Sequence, residues 1–340
     1  MKTLDELVEK ALSRRTFLAG AGAVAATTAL AGCSNDNSGT TTGGGGSDTY
    51  TDADVLNFAL NLEYLEAQFY LYAATGAGLA STDTVAPSGY TGTFTEGTVT
   101  PGSAGAVPGL SSAQQDILNE IAFEEQSHVQ FLRSALGPAA VPLPSIDLSF
   151  FGPLAVAATI TTAATGAGSF NPFSSFDYFL VGAFIFEDVG VTAYSGAAPL
   201  ISAAGVKSGY LTAAAGILAV EAYHAGYVRT SLTARAIAAG SASAYPYLAA
   251  ANLVADLRAT LTVGDSAAPS TTGSVETLLT LPTSVSTPSA IVAASSANAV
   301  GFARTVNQVH HIVYGSATVG VKSGGFFPNG TNSIFATTTA

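Results

Sequence analysis

From Asp52 onward the apolar residues Val55, Phe58, Ala59, Leu62, Leu65, Phe69 and Tyr72 recur at three- and four-residue intervals, the period of an amphipathic helix of about six turns. Glu63 and Glu66 fall inside that pattern, on the face expected to be buried. A second periodic run, from about Ser112 to Leu136, carries Ile117, Ile121, Val129 and Leu132 on one stripe, which it shares with Glu125 and His128. Ser111 or Ser112 can cap its start, and Gly137-Pro138 stops it. The third segment, FDYFLVGAFIFEDVGVTAYSGAAPLI, is apolar nearly all round, which predicts a buried helix; Glu187 and Asp188 are its only acidic residues after Asp177. The fourth, GYLTAAAGILAVEAYHAGYVRTSLTARAI, puts Ile217, Glu221, His224 and Val228 on one face.

These segments repeat. Superposing the second on the fourth pairs Glu125 with Glu221, His128 with His224, Phe131 with Tyr227, Leu132 with Val228, Arg133 with Arg229, Ser134 with Thr230 and Leu136 with Leu232. Superposing the first on the third through Glu63 and Glu187 brings Tyr70 over Tyr194, seven residues further on in each. The pattern predicts an all-α fold: a four-helix bundle over 51–236, made of two copies of a helical hairpin. Loops rich in Gly, Pro, Ser and Thr at about 75–110 and 137–174 interrupt it, with room for short strands. A C-terminal extension, 237–340, is expected to wrap on the bundle with helices near 245–261 and 287–314.

Charge then changes the picture. The 340 residues hold 48% hydrophobic but only 10% charged side chains, which excludes disorder for the bulk of the chain. With 11 Lys+Arg against 23 Asp+Glu, a basic groove for a phosphate backbone is hard to build, so no nucleic acid partner is expected. One cysteine allows neither an internal disulfide nor a thiolate zinc site. An ionised carboxylate taken out of water needs compensation. No Lys or Arg lies between Thr51 and Gly109 or between Ser134 and Val206, and Arg133 and Arg229 sit two turns beyond their Glu-x-x-His glutamates.

Two divalent cations would supply what is missing, because four carboxylates and two neutral imidazoles around them sum to zero. Residues three apart share a helix face, so Glu125 with His128 and Glu221 with His224 can each aim oxygen and nitrogen at one point. Glu63, Glu125, His128, Glu187, Glu221 and His224 are the expected ligands of two iron or two manganese ions, since O/N ligation without thiolate suits either metal. Glu66 is the alternative to Glu63, or sits behind it. The competing reading makes these glutamates surface charge or protonated core acids. Glu120 and Glu124 are expected to point away into solvent. Tyr70 and Tyr194 can hydrogen-bond a ligating carboxylate, relay an electron or simply fill core. His310 and His311 are explained by the alternation around them and are not expected to be ligands.

The first 33 residues read as an export signal: a charged start, a twin-arginine element at Arg14 and Arg15, then small apolar residues too weakly hydrophobic for a permanent span. The end, Leu30 to Cys33, resembles a lipobox, which would leave Cys33 as a lipidated N-terminus held to a membrane; cleavage after Ala31 is the alternative. Residues 34–50 read as a flexible Gly/Ser/Thr linker. The expected location is the periplasm or outer cell envelope, reached by the twin-arginine route.

The stretches NLEYLEAQFY, EIAFEEQSHVQFLRSAL, FEDVGVTAYSGAA, VEAYHAGYVR, RTVNQVHHIVYG and GGFFPNG resemble the ferritin-like proteins grouped with the plant desiccation-related proteins, over roughly 52–330. The resemblance implies a ferritin-like four-helix bundle with its metal site at the six residues above. It leads to an exported di-metal protein acting on a small oxidant or on Fe(II), as a ferroxidase or a peroxidase- or catalase-like oxidoreductase. The rival is a non-catalytic, stress-associated envelope protein with a structural or vestigial metal site. A closed iron-storage cage is not expected; a dimer is compatible with the sequence.

Overall fold

A computed structural model describes residues 50–160, 170–262, 276–281, 291–295 and 299–339. The expected signal, Cys33 and all but the last residue of the expected linker lie outside the described residues. Four long helices form the bundle: α1 (Asp52–Thr75), α2 (Ser112–Leu136), α3 (Phe176–Ala197) and α4 (Tyr210–Ala238). The helix ends follow from the residues that stand there. Thr51 caps α1 through a reciprocal pair in which its hydroxyl accepts from the Asp54 amide while the Asp54 carboxylate accepts from the Thr51 amide. Gly76, left-handed at φ 80°, ends α1 without the strain a side chain would add there. Ser111 and Gln114 form the same box at α2, and Gly137 ends it.

Helix α1 packs along α2 and α3 along α4, and the two hairpins meet through α1 and α3. The chain is thus an all-α, ferritin-like bundle. Its two inner helices are buried almost throughout, and a cluster of Phe69, Phe151, Phe173, Phe179 and Phe186 fills the core at one side. No helix among the described residues is long and apolar enough to cross a membrane. The loop after α1 and the crossover after α2 are tied together by two two-residue strands, β1 (Val99–Thr100) and β2 (Ile146–Asp147), which pair in parallel.

Beyond α4, helix α5 (Pro246–Thr262) lies on α3, and α6 (Val306–Val313) packs on α3 and α5. The sequence expectation of a helix over 287–314 is corrected. Residues 291–295 and 299–305 are non-helical, and the helix starts only at a Thr305/Gln308 capping box. Tertiary contact overrides the local pattern: the Arg304 amide donates to the Thr192 carbonyl, and the Arg304 carbonyl presses where Gly196 lacks a Cβ.

Candidate metal centre

Each bundle helix turns one or two acids inward. Glu63 and Glu66 come from α1, Glu125 and His128 from α2, Glu187 from α3, and Glu221 and His224 from α4; all seven are buried. His128 Nδ1 lies 3.2 Å from Glu63 Oε2, 3.5 Å from Glu125 Oε2 and 3.5 Å from Glu221 Oε1. His224 Nδ1 lies 2.9 Å from Glu125 Oε1 and 3.7 Å from Glu187 Oε2. Two ligand groups result, Glu63/Glu125/His128/Glu221 and Glu125/Glu187/His224; within each, the donor atoms lie within 4.8 Å of one another. Glu125 belongs to both.

Whether these residues fit metal can be judged from their unmet needs. Both oxygens of Glu125, both of Glu221, Glu187 Oε2 and His224 Nδ1 are buried without a hydrogen-bond partner. His224 Nδ1 approaches Glu125 Oε1 to 2.9 Å without the alignment of a hydrogen bond. An unmet buried polar atom costs about 1–3 kcal/mol, more when charged, so this many in one place call for a cation. No Lys or Arg among the described residues pairs with any of the four glutamates; Arg133 instead donates to the Tyr64 hydroxyl and the Val85 carbonyl. The donor set fits two divalent ions.

Titration reflects the same crowding. Burial, followed by the neighbouring carboxylates, pushes Glu66 and Glu221 well above the usual carboxylate range. Burial raises Glu63, and it raises Glu187 to about 8, in both cases against the pull of the nearest imidazole. Glu125 goes the other way: burial opposes its charge, but His128 and His224 outweigh burial and hold it at about 2. Burial likewise works against the charged form of the imidazoles, yet Glu63 and Glu125 raise His128 to about 11, and Glu187 and Glu125 raise His224 to about 10.

The two tyrosines cross the repeat. Tyr70 donates from α1 to Glu187 Oε1 on α3, and Tyr194 donates from α3 to Glu63 Oε1 on α1. Burial, then the adjoining glutamate, keeps each phenol well above its ordinary pKa, so both remain donors. Each thereby fixes one carboxylate oxygen and leaves the other, Glu63 Oε2 or Glu187 Oε2, facing a histidine. Glu66 joins neither ligand group. It lines a small pocket with Leu62, Leu65, Phe186, Val189, Gly190 and Val313.

Three features escaped the sequence reading. Gly190, in mid-helix, is one: a Cβ there would stand 2.4 Å from Glu221 Oε2 and 3.3 Å from Glu66 Oε1, so its absence makes room for both acids. An interior helix glycine costs about 1 kcal/mol against alanine, which was the available signal. Val313 is another, since α6 of the extension supplies a wall of the pocket. The third corrects an expectation: Glu120 is exposed as foreseen, but half-exposed Glu124 turns toward α4, with Oε2 2.8 Å from His224 Nε2. His310 and His311 lie apart from both ligand groups, His310 Nε2 against the Thr331 hydroxyl and His311 Nδ1 against the Ser316 carbonyl.

The profile of the ferritin-like domain family matches residues 51–234. The chain is similar to the desiccation-related protein PCC13-62 of Craterostigma plantagineum, 31% identical over 189 residues, covering 55% of this chain and about half, 54%, of that protein's length. It is also similar to the ferritin-like catalase Nec2 of Nesocodon mauritianus, 26% identical over 291 residues, 84% of this chain and 85% of the relative. No solved structure matches significantly. With more than half of its length in the matched domain and a carboxylate-histidine site suited to two metals between its helices, the chain belongs to the ferritin-like domain family.

Proposed function

We propose that this protein removes hydrogen peroxide at a two-metal centre, disproportionating two peroxide molecules to two waters and dioxygen. The observation that carries the reading is the set of partnerless carboxylate oxygens and the partnerless imidazole nitrogen converging from three helices where no fixed cation reaches. The similarity to a ferritin-like catalase along 84% of the chain favours peroxide over Fe(II) oxidation. Glu63, Glu125, His128, Glu187, Glu221 and His224 would hold the ions. Bound iron or manganese supplies redox capacity and open coordination positions.

The chain's own residues do the rest. Tyr70 and Tyr194 fix the outer oxygens of Glu187 and Glu63, so neither carboxylate can swing. Beside Glu66 lies a small cavity walled by Leu62, Leu65, Phe186, Val189 and Val313, the place from which a small oxidant would approach. Glu66, outside the ligand groups and held neutral by burial and its acidic neighbours, keeps a proton at the pocket wall for an oxygen leaving as water. Export by the twin-arginine route, with Cys33 lipidated, would place this activity at the cell envelope, and folding before export would let the metal be loaded inside the cell.

A second reading, a non-catalytic protein protecting the envelope under drying, draws on the similarity to the desiccation-related protein. One experiment separates them. Metal content and peroxide-driven oxygen evolution are measured on protein folded without chelators, beside a Glu125→Ala/Glu221→Ala double variant and with a parallel Fe(II)-oxidation assay. About two iron or manganese ions per chain and oxygen evolution, both lost in the variant, are expected. Bound metal with no turnover in either assay would favour the protective role, and a chain that takes up neither ion would overturn the di-metal reading.

A further inference from the structure

The two Glu-x-x-His helices repeat in sequence but not in what stands behind their histidines. Both rings face the cluster through Nδ1. The Nε2 of His224 meets Glu124 Oε2 at 2.8 Å, whereas Nε2 of His128 has no such partner among the described residues. The repeat explains the difference, because the position equivalent to Glu124, immediately before Glu221, is Val220.

A carboxylate oxygen accepts, so Glu124 holds a proton on His224 Nε2, and Nδ1 is the nitrogen that would give up its own proton to a metal. That nitrogen is buried, lacks a hydrogen-bond partner, and is aimed at Glu125 and Glu187. A carboxylate behind a metal-binding imidazole fixes its tautomer, its orientation and its basicity, and such partners matter to affinity nearly as much as the ligands. The ligand group it serves is also the smaller, with three residues against four in the group built around His128.

Resting on the di-metal reading above, we propose that Glu124 is a positioning residue for His224, and that through it the metal position made by Glu125, Glu187 and His224 differs from the one made by Glu63, Glu125, His128 and Glu221. One ion's retention depends on Glu124 and the other's does not. Glu124 is half-exposed, so its side chain can be removed without opening the core.

Anaerobic titration of Mn(II) into the purified, metal-stripped full chain tests this, comparing wild type, Glu124→Ala, Glu124→Gln and the exposed control Glu120→Ala. Two binding events are expected for wild type and for Glu120→Ala. In Glu124→Ala one event should keep its affinity while the other weakens about 10- to 100-fold. Glu124→Gln, which retains an acceptor oxygen, should weaken it less. Two unchanged affinities in Glu124→Ala would overturn the inference and leave the di-metal reading standing. Equal weakening of both, with a lower melting temperature of the metal-stripped variant, would assign Glu124 a structural role instead. A wild type that binds no Mn(II) would overturn both.

Discussion

Glu187 and Asp188 are neighbours on α3, both buried, and they meet opposite solutions to one problem. Asp188 is held by fixed cations: Arg229 Nη1 at 2.7 Å and Arg258 Nη2 at 3.1 Å from the same oxygen. Arg258 also grips Glu276, with Nη2 2.7 Å from Oε2, and Arg304 reaches Glu276 as well, while the guanidinium of Arg258 lies 4.7 Å from the centre of the Phe184 ring. Glu187, one residue earlier, faces a second acidic cluster with histidines and a tyrosine but no guanidinium. The difference teaches how to tell a structural buried acid from a metal-binding one. The first carries its counter-charge in the chain, from Arg229 on α4 and Arg258 on α5, and Arg258 and Arg304 meeting at Glu276 extend the staple into the C-terminal segment. The second has no such partner among the described residues, and on the proposed reading its counter-charge is an exchangeable ion.

Breaking the fixed side should have the larger effect. Arg258→Met leaves Asp188 and Glu276 short of a buried partner, and unpairing such a network costs about 3–5 kcal/mol. The unfolding free energy should fall by that amount with or without metal, as read in denaturant melts of both forms. A loss that appears only in the loaded form would mean that Arg258 acts through the metal centre. Breaking the exchangeable side should do the reverse. Glu125→Gln/Glu221→Gln removes two ligand carboxylates at nearly constant shape; the metal-stripped variant loses Glu125 as the partner of His128 and His224, so its own baseline is measured first and the effect is read as the response to metal. The added stability from metal, about 2.7–4.1 kcal/mol at 100- to 1,000-fold excess over Kd, should vanish. Retention of that gain in the double variant would place the ions elsewhere.

How much of this was legible in the sequence follows from the same contrast. The convergence of these acids and histidines was legible because its parts are local: Glu125 with His128 and Glu221 with His224 share a helix face, the repeat relates Glu63 to Glu187, and no basic residue stands near in the sequence. The chain's membership in the ferritin-like family follows from those motifs. The fixed network was not readable, because Asp188, Arg229, Arg258, Glu276 and Arg304 span more than a hundred positions and no spacing rule joins them. The helix expected over 287–314 failed for a related reason, since the backbone of Arg304 is committed to Thr192 and Gly196 on α3 before α6 begins. Glu124 was misplaced because helical spacing sets it off the His128 stripe, yet α4 brings His224 across to meet it.

The pH dependence sharpens the comparison, because between pH 5 and 8 the candidate metal centre and one group outside it, His310, pull in opposite directions: burial lowers His310 from 6.5 to about 3, so its contribution rises with pH and is complete above the unfolded value. Glu187 rises from 4.5 to about 8 on folding, and Glu63, Glu66 and Glu221 rise too. A raised pKa means a contribution to stability that is whole below the unfolded value and is lost as pH climbs through the folded one. His128 and His224, raised from 6.5 to about 11 and about 10, begin to lose theirs above the unfolded value as well. Glu125 has the opposite sign, since its contribution fails only as pH falls toward about 2, so it is constant in this window. The metal-stripped protein should therefore weaken toward pH 8, most clearly above 6.5, where His310 no longer opposes the trend. Metal must displace those same protons, so its binding should tighten over the same range. The stability gap between loaded and stripped protein should then widen by about 1.4 kcal/mol per pH unit for each proton released. Paired thermal melts across the window would read it, and the Glu125→Gln/Glu221→Gln protein should show no gap at any pH. A wild-type gap that stays flat would mean that the ions enter without displacing protons, and the carboxylates would then be ionised and compensated by some other cation.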